Sequence, residues 1–272
     1  MNAVGRSGGL EAVLGLLERT GERAWDAVRP YLADGFRWTH HPTPHYPEGL
    51  SGDANAMIDL YAPQRGGAFE TTHQTVDEVL QAGDEIIVRI SNRFRFSDGV
   101  KSEQQICGAL FFLTENGRIS RLDTYYAAPR DAAAPVCDIE HGPGEVVSSD
   151  AMRPVAEQAV RALLYDVDDI GQYCAADFRW RHHATIDYPE GLSGDLADLI
   201  ATFGGEEATW ACERYELKGA SVFGHVLALR LHVRIHLQAR PDQRRRADAA
   251  LLLRFDRDKI ADLEIYPCVV AL

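Results

Sequence analysis

The sequence is short of basic residues, long apolar runs and closely spaced cysteines, and each shortage removes a class of function. Lysine and arginine number 28 against 41 aspartates and glutamates, a formal charge of −13. That balance repels phosphate backbones and anionic membrane surfaces at long range, so nucleic acid and membrane are not expected partners. No stretch approaches the roughly 18 apolar residues that a membrane span requires. The opening Met1–Gly9 is polar and lacks the apolar core of a signal peptide, so the reading is a cytoplasmic protein. The five cysteines (Cys107, Cys137, Cys174, Cys212, Cys268) are odd in number, far apart and free of any Cys-x-x-Cys pair, which argues against a disulfide framework or a zinc ribbon. Neither a glycine-rich phosphate fingerprint after a strand nor a P-loop is present, so no organic cofactor is implied.

What the sequence does have is a repeat. Residues 36–53 read FRWTHHPTPHYPEGLSGD and residues 178–195 read FRWRHHATIDYPEGLSGD, with 14 identities in 18 at an offset of 142. A weaker match at an offset of 141 lays GALFFLTENGRISRLDTYY (108–126) over AALLLRFDRDKIADLEIYP (249–267). The 272 residues therefore divide into two copies of one unit, 1–130 and 150–272, joined by an Ala-, Pro- and Gly-rich linker over 131–149 that begins to show at Ala127.

Each copy has one order of elements. Apolar spacing predicts helices over Leu10–Leu17 and Trp25–Leu32, with counterparts at Val155–Tyr165 and Asp168–Ala175. Phe36–His41 alternates as a strand, Pro42–Gly52 is rich in turn residues, and Ser51 or Asp53 (Ser193 or Asp195) caps a helix running to about Tyr61 (Phe203). Long strands follow at roughly 69–81, 84–97, 101–114 and 118–126. Turns are expected at Ala82-Gly83, Ser97-Asp98-Gly99 and Glu115-Asn116-Gly117, and in the second copy at Gly224 and Pro241-Asp242. Helices followed by antiparallel hairpins make an α+β pattern in which the sheet curls around the helices and leaves an apolar hollow.

In sequence, helix–helix–ADGFRWTHHP–loop–GLSGDANAMIDLYA–strands ending ENGRISRLDTYY resembles the cone-shaped fold of the nuclear transport factor 2-like superfamily, which includes ketosteroid isomerase, the SnoaL-type polyketide cyclases, limonene epoxide hydrolase and scytalone dehydratase. The resemblance implies two tandem cones, each a curved antiparallel sheet on about three helices. It also implies domain–domain pairing within the chain as a pseudo-dimer, monomeric or further dimerised. It places the isomerases' general-base aspartate at His40 and His182, their oxyanion tyrosine near Leu14, and its partner aspartate at Ala109 and Ala250. The cyclases' acid/base aspartate falls at Thr124 and Ile265, beside Asp123 and Glu264, whose side chains are expected to point the other way.

Strand periodicity sorts the signature independently. Phe36, Trp38 and His40 share one face, as do Phe178, Trp180 and His182, and that aromatic face is the one expected inside. An imidazole titrates near neutrality and can take or give a proton there. His40 and His182 are thus the candidate catalytic residues, set against the plainer reading of hydrogen-bonded core histidines. Trp38, Trp180, Tyr46, Tyr188 and Asp187 are candidate substrate-binding residues, the tyrosines as hydrogen-bond donors to a developing oxyanion. Most of the repeated Tyr-Pro-Glu-Gly-Leu-Ser-Gly-Asp is explained by a turn and a helix cap. A metal set of His40, His41 and His45, or of His182, His183 and Asp187, is disfavoured because neighbours on a strand point to opposite faces. Arg230, His232, Arg234 and His236 line one face of Leu229–Leu237, as Arg89, Ser91, Arg93 and Arg95 do in copy one. They form either an anion site or a face paired with carboxylates. The function expected is an acid–base enzyme acting on a small hydrophobic organic molecule, a cyclase, isomerase, dehydratase or hydrolase of secondary metabolism. The alternative is a non-catalytic small-molecule binder.

Overall fold

The computed structural model describes residues 8–62, 69–96, 103–131, 149–185, 187–204 and 210–272. They form two compact units, one on each repeat. The first contains helix α1 (Gly8–Gly21), a 3-10 turn (Trp25–Tyr31), strands β1 (Leu32–His40) and β2 (Leu50–Gly52), helix α2 (Ala54–Tyr61), and strands β3 (Phe69–Ala82), β4 (Glu85–Phe96), β5 (Gln104–Glu115), β6 (Arg118–Tyr126) and β7 (Arg130–Asp131). The second contains α3 (Ser149–Tyr165), a 3-10 turn (Val167–Tyr173), β8 (Cys174–His182), β9 (Leu192–Gly194), α4 (Leu196–Phe203), β10 (Trp210–Phe223), β11 (Val226–Leu237), β12 (Arg240–Asp256) and β13 (Lys259–Ala271).

The two sheets have one topology. Their orders are β2-β1-β6-β5-β4-β3, with β7 added on β5, and β9-β8-β13-β12-β11-β10. All pairings are antiparallel except β1 with β6 and β8 with β13. These parallel pairs lay the start of each unit beside its end. The long outer strands β3 and β10 each carry two register shifts, at Thr71/His73 and Val76/Glu78 in one and Cys212/Arg214 and Leu217/Gly219 in the other. An extra residue bends a strand and increases its twist, which curls each sheet into an open cone.

The core follows from the period of each element. In α1, Ala12, Val13, Leu16 and Leu17 form one stripe and pack on Phe36, Trp38, Ile86, Val88, Leu110 and Leu122. In α3, Met152, Ala156, Ala159 and Val160 do the same over Phe178, Trp180, Leu229, Leu251 and Leu263. Each fully buried side chain of this size contributes roughly 1.5–3 kcal/mol. The expected caps are the aspartates: Asp53 Oδ1 accepts from the backbone N–H of Asn55 and Ala56, and Asp195 from Ala197 and Asp198, the latter as a full capping box. The turn at Asn116-Gly117 takes positive φ at both residues, 51° and 75°, as a two-residue hairpin requires.

The structure departs from the sequence reading in four places. The helix expected over Trp25–Leu32 is a 3-10 turn ending at Tyr31, with Pro30, which lacks an N–H, in its last turn. Its counterpart is likewise 3-10 and ends at Tyr173, so Cys174 already belongs to β8. The hairpin expected at Pro241-Asp242 turns earlier, at Gln238-Ala239, and Pro241 sits at the start of β12 opposite a register shift, where its missing donor breaks no regular ladder. The linker is not featureless from Ala127: Arg130–Asp131 pairs with Gln104 and Gln105. The expected turn at Ser97-Asp98-Gly99 and the linker beyond Asp131 lie outside the described residues.

Candidate active site

Both strand ends that carry the repeated histidines have the predicted facing. Phe36, Trp38 and His40 point into the first core, Phe178 and Trp180 into the second, and His41 and His183 point to the other side. The two faces are chemically distinct in each copy. On the outer face His41 stacks on Tyr125 at 3.9 Å between ring centroids, and His183 on Tyr266 at 4.2 Å. In the second unit this becomes a buried hydrogen-bonded triad: Glu264 accepts from His183 Nε2 at 2.7 Å and from the Tyr266 hydroxyl at 2.9 Å. His40 and His41, and His182 and His183, therefore serve separate environments and do not converge on one point.

The inner faces differ between the copies. His40 is 6% exposed, with Nδ1 3.1 Å from the Tyr61 hydroxyl and 3.2 Å from Thr124 Oγ1. The rings of Trp38, Tyr61 and Tyr126 surround it at centroid separations of 5.4–6.1 Å from imidazole or from one another, and Trp25 stacks on Tyr61. Tyr126 fits because its cross-strand neighbour is Gly108, where a Cβ would come within 2.6 Å of the phenol ring. Burial pulls the His40 imidazole down to about 4, with a smaller push from His41, and raises the Tyr126 phenol.

In the second copy these polar neighbours are gone. Phe203 stands in place of Tyr61, Ile265 of Thr124, and Pro267 of Tyr126. The space is a cavity of about 160 Å³. Its walls include Val160 and Leu163 of α3, Leu231, Val233 and Ile235 of β11, Ala247, Ala249 and Leu251 of β12, and Ile265 and Val269 of β13. Few polar side chains reach it: His182, Thr185, Asp187, Tyr188 and Cys212. The His182 ring stands perpendicular to Tyr188 at 6.1 Å and near Phe203 at 6.0 Å. Its Nδ1 is sealed from solvent with no hydrogen-bond partner among the described residues. Burial first, and the neighbouring His183 second, hold its imidazole down at about 4, so it is neutral at pH 7. Burial pushes the Cys212 thiol up, so it stands in the wall as a thiol and not as a thiolate nucleophile.

The loop that brings Tyr188 over the cavity is tied at both ends. Tyr188 N–H donates to Thr185 Oγ1, Thr185 N–H to the Tyr188 carbonyl, and Gly191 N–H to the same carbonyl. Gly191 has φ +73°, and a Cβ there would lie 2.8 Å from the His182 carbonyl, so glycine is needed for both conformation and approach.

Of the sequence candidates, His182, Tyr188 and Asp187 meet at this cavity. Trp180 lies one layer deeper, 1% exposed, its ring edge-on to Phe203. Trp38 is likewise in the core, against Tyr61. Tyr46 bridges to Thr43 in a turn and is not among the residues lining the second cavity. Ala109 and Ala250 face outward, one residue out of step with the inner wall. The inward neighbours are Gly108 and Leu110, and Ala249 and Leu251, none with a side chain that can donate to an oxyanion. Thr124 and Ile265 do face inward, and Asp123 and Glu264 outward, as expected. On the outer face of β11, His232 is paired with Asp248 at 2.7 Å and His236 with Glu213 at 3.5 Å, and Arg244 of β12 reaches the same Glu213 at 3.0 Å. Sequence reasoning missed Phe203, Trp210, Cys212 and Thr185 as cavity residues. The signal was available in the paired positions 61/203, 124/265 and 126/267, where polar or bulky residues in one copy become apolar in the other.

Residues 13–122 match the model of a known family, the SnoaL-like domain. The first repeat is a SnoaL-like domain. The second repeats its topology, so the chain carries two tandem copies of the fold. Similar solved structures include a nuclear transport factor 2-like protein of unknown function from Burkholderia pseudomallei, at 22% identity, covering 44% of this chain and 91% of that one with a TM-score of 0.38. An LEH-like epoxide hydrolase from M. tuberculosis aligns at 14% identity over 44% of this chain and 82% of its own, TM-score 0.35. A hypothetical protein with a ketosteroid isomerase-like fold from Catenulispora acidiphila, in complex with trimethylamine, aligns at 15% identity over 43% and 85%, TM-score 0.37. No curated protein matches. Among the described residues, no helix is long and apolar enough to cross a membrane.

Proposed function

We propose that the second SnoaL-like unit is an acid–base enzyme for a small, largely apolar organic molecule, with His182 as the proton-transfer residue. The observation that carries this reading is the position of His182 on the wall of an otherwise mostly aliphatic cavity, with the Tyr188 ring beside it. A cavity of about 160 Å³ is comparable to the engineered apolar cavity of ~150 Å³ that takes up benzene. It suits a substituted ring or a short chain. Inside it a neutral imidazole accepts a proton from the substrate, and the Tyr188 hydroxyl donates to the oxygen on which charge develops. The imidazolium so formed is a strong acid, because the site holds its pKa near 4. It returns the proton readily, which suits isomerisation, cyclisation or dehydration better than a step that must store the proton.

The same low basicity supports a second reading, binding without turnover, since a weak base demands an acidified substrate. The two readings separate on His182→Ala and His40→Ala, singly and together, assayed against small cyclic ketones, epoxides and alcohols for both conversion and affinity. Loss of conversion with retained affinity in His182→Ala supports the enzyme. Tight binding with no conversion in the parent chain supports the binder.

A further inference from the structure

Arg245 lies on the inner face of β12, two residues beyond Ala247 and opposite Ile235 of β11 and Ala271 of β13. Ala247 and Ile235 both line the cavity, so Arg245 is the next residue outward on the same wall. Its guanidinium sits 5.5 Å above the ring of Trp210, another lining residue, and its Nε is buried without a hydrogen-bond partner among the described residues. Among the described residues it lies over an aromatic ring and is in no ion pair with a carboxylate. On the outer face of the same strands His232 and Arg244 are paired with Asp248 and Glu213. The position is also particular to this copy: its counterpart in the first repeat is Gln104.

Resting on the reading of the second cavity as a ligand site, we infer that Arg245 binds the carboxylate of an amphipathic monocarboxylic acid whose apolar body fills the cavity towards His182. Along β12 the lined wall runs from Ala247 to Leu251, about 13 Å at ~3.3 Å per residue. His182 lies level with Ile265 and Leu251, near the far end. A ligand anchored at Arg245 therefore presents its apolar end, not its acid group, to the imidazole. A guanidinium fork matches a carboxylate with two parallel N–H···O bonds. Arg245 carries one positive charge and the Asp187 carboxylate at the cavity opposes further negative charge, so a dianion such as a phosphate monoester is disfavoured.

The test is calorimetric titration of the full chain with octanoate and n-octanol, which share an apolar body and differ in the head group. Octanoate is expected to bind more tightly. Arg245→Gln, the residue of the first repeat, weakens octanoate roughly 10-fold or more, the scale of a charge-assisted hydrogen-bond pair, and leaves n-octanol within about twofold. Arg245→Lys recovers part of the difference, because it keeps the charge and loses the fork. Ala249→Phe, which fills the cavity, abolishes binding of both. Equal affinity for the two probes, or an octanoate preference that survives Arg245→Gln, overturns the arginine assignment while n-octanol binding keeps the cavity reading. Failure of both probes to bind, or binding indifferent to Ala249→Phe, overturns the cavity reading and the arginine assignment with it.

Discussion

The hydroxyl of Tyr61 lies 3.1 Å from Nδ1 of His40, and at the matching place in the second repeat Phe203 leaves the Nδ1 of His182 with no partner. With Thr124 replaced by Ile265 and Tyr126 by Pro267, this exchange separates the two copies. In the first, imidazole is part of a hydrogen-bonded aromatic core; in the second, it borders a cavity.

Exchanging these residues tests the contrast. Tyr61→Phe removes a buried hydrogen bond, at an expected cost of about 1 kcal/mol in urea denaturation of the full chain, with no change in ligand affinity at the second cavity. Phe203→Tyr is expected to act the other way, giving Nδ1 of His182 a partner and making the cavity wall more polar, so n-octanol binds less tightly. If Phe203→Tyr leaves that affinity unchanged, Phe203 does not shape the site.

Acid should destabilise the fold through its inner histidines. His40 and His182 are each lowered from 6.5 to about 4, so the unfolded chain binds more protons than the native one between those values. Their contribution is fully present above pH 6.5 and is lost as pH falls towards 4. At ~1.36 kcal/mol per unit the upper figure is about 3 kcal/mol for each. Urea midpoints measured from pH 7.5 to 4.5 should fall, and His40→Gln with His182→Gln should flatten the slope. A midpoint that rises on acidification contradicts the assignment.

Gly191→Ala forces a left-handed backbone on alanine and drives its Cβ against the His182 carbonyl. A loss of stability of about 1–2 kcal/mol and weaker binding at the second cavity are expected. Gly49→Ala, at φ +70° in the first repeat, carries the same left-handed backbone cost and should leave ligand affinity intact.

The outer-face pair of His183 and Glu264, 8% and 2% exposed, is predicted to be structural. Glu264→Leu leaves the buried imidazole without its partner and should cost roughly 3 kcal/mol or more. The ligand affinity of the surviving folded protein should be unaffected, since the pair faces away from the cavity.

Much of this was legible in the sequence for reasons that can be named. The repeated signature, the alternation through Phe36, Trp38 and His40, and the capping aspartates are local patterns, and local patterns survive in one dimension. The outward facing of His183 and Glu264 follows from the same period of two. The site was legible only in part, because a cavity is a property of residues far apart in the chain: His182, Phe203, Trp210, Ala249 and Pro267 meet only through the sheet register. The identical YPEGLSGD segments drew attention to what the copies share. The difference that opens the second cavity lies in unlike pairs, Tyr61 with Phe203, Thr124 with Ile265 and Tyr126 with Pro267. Trp180 shows the converse: its periodicity correctly placed it inside, but depth within the core is not visible to a two-residue repeat.

The most direct test of the central claim, that the second cavity is the ligand site and His182 its reporting group, is NMR titration of the histidine imidazoles with n-octanol, assigned through His40→Gln and His182→Gln. The account predicts saturable shifts of the His182 resonances and none at His40. Shifts confined to His40, or none at either histidine while octanol binds, would contradict it.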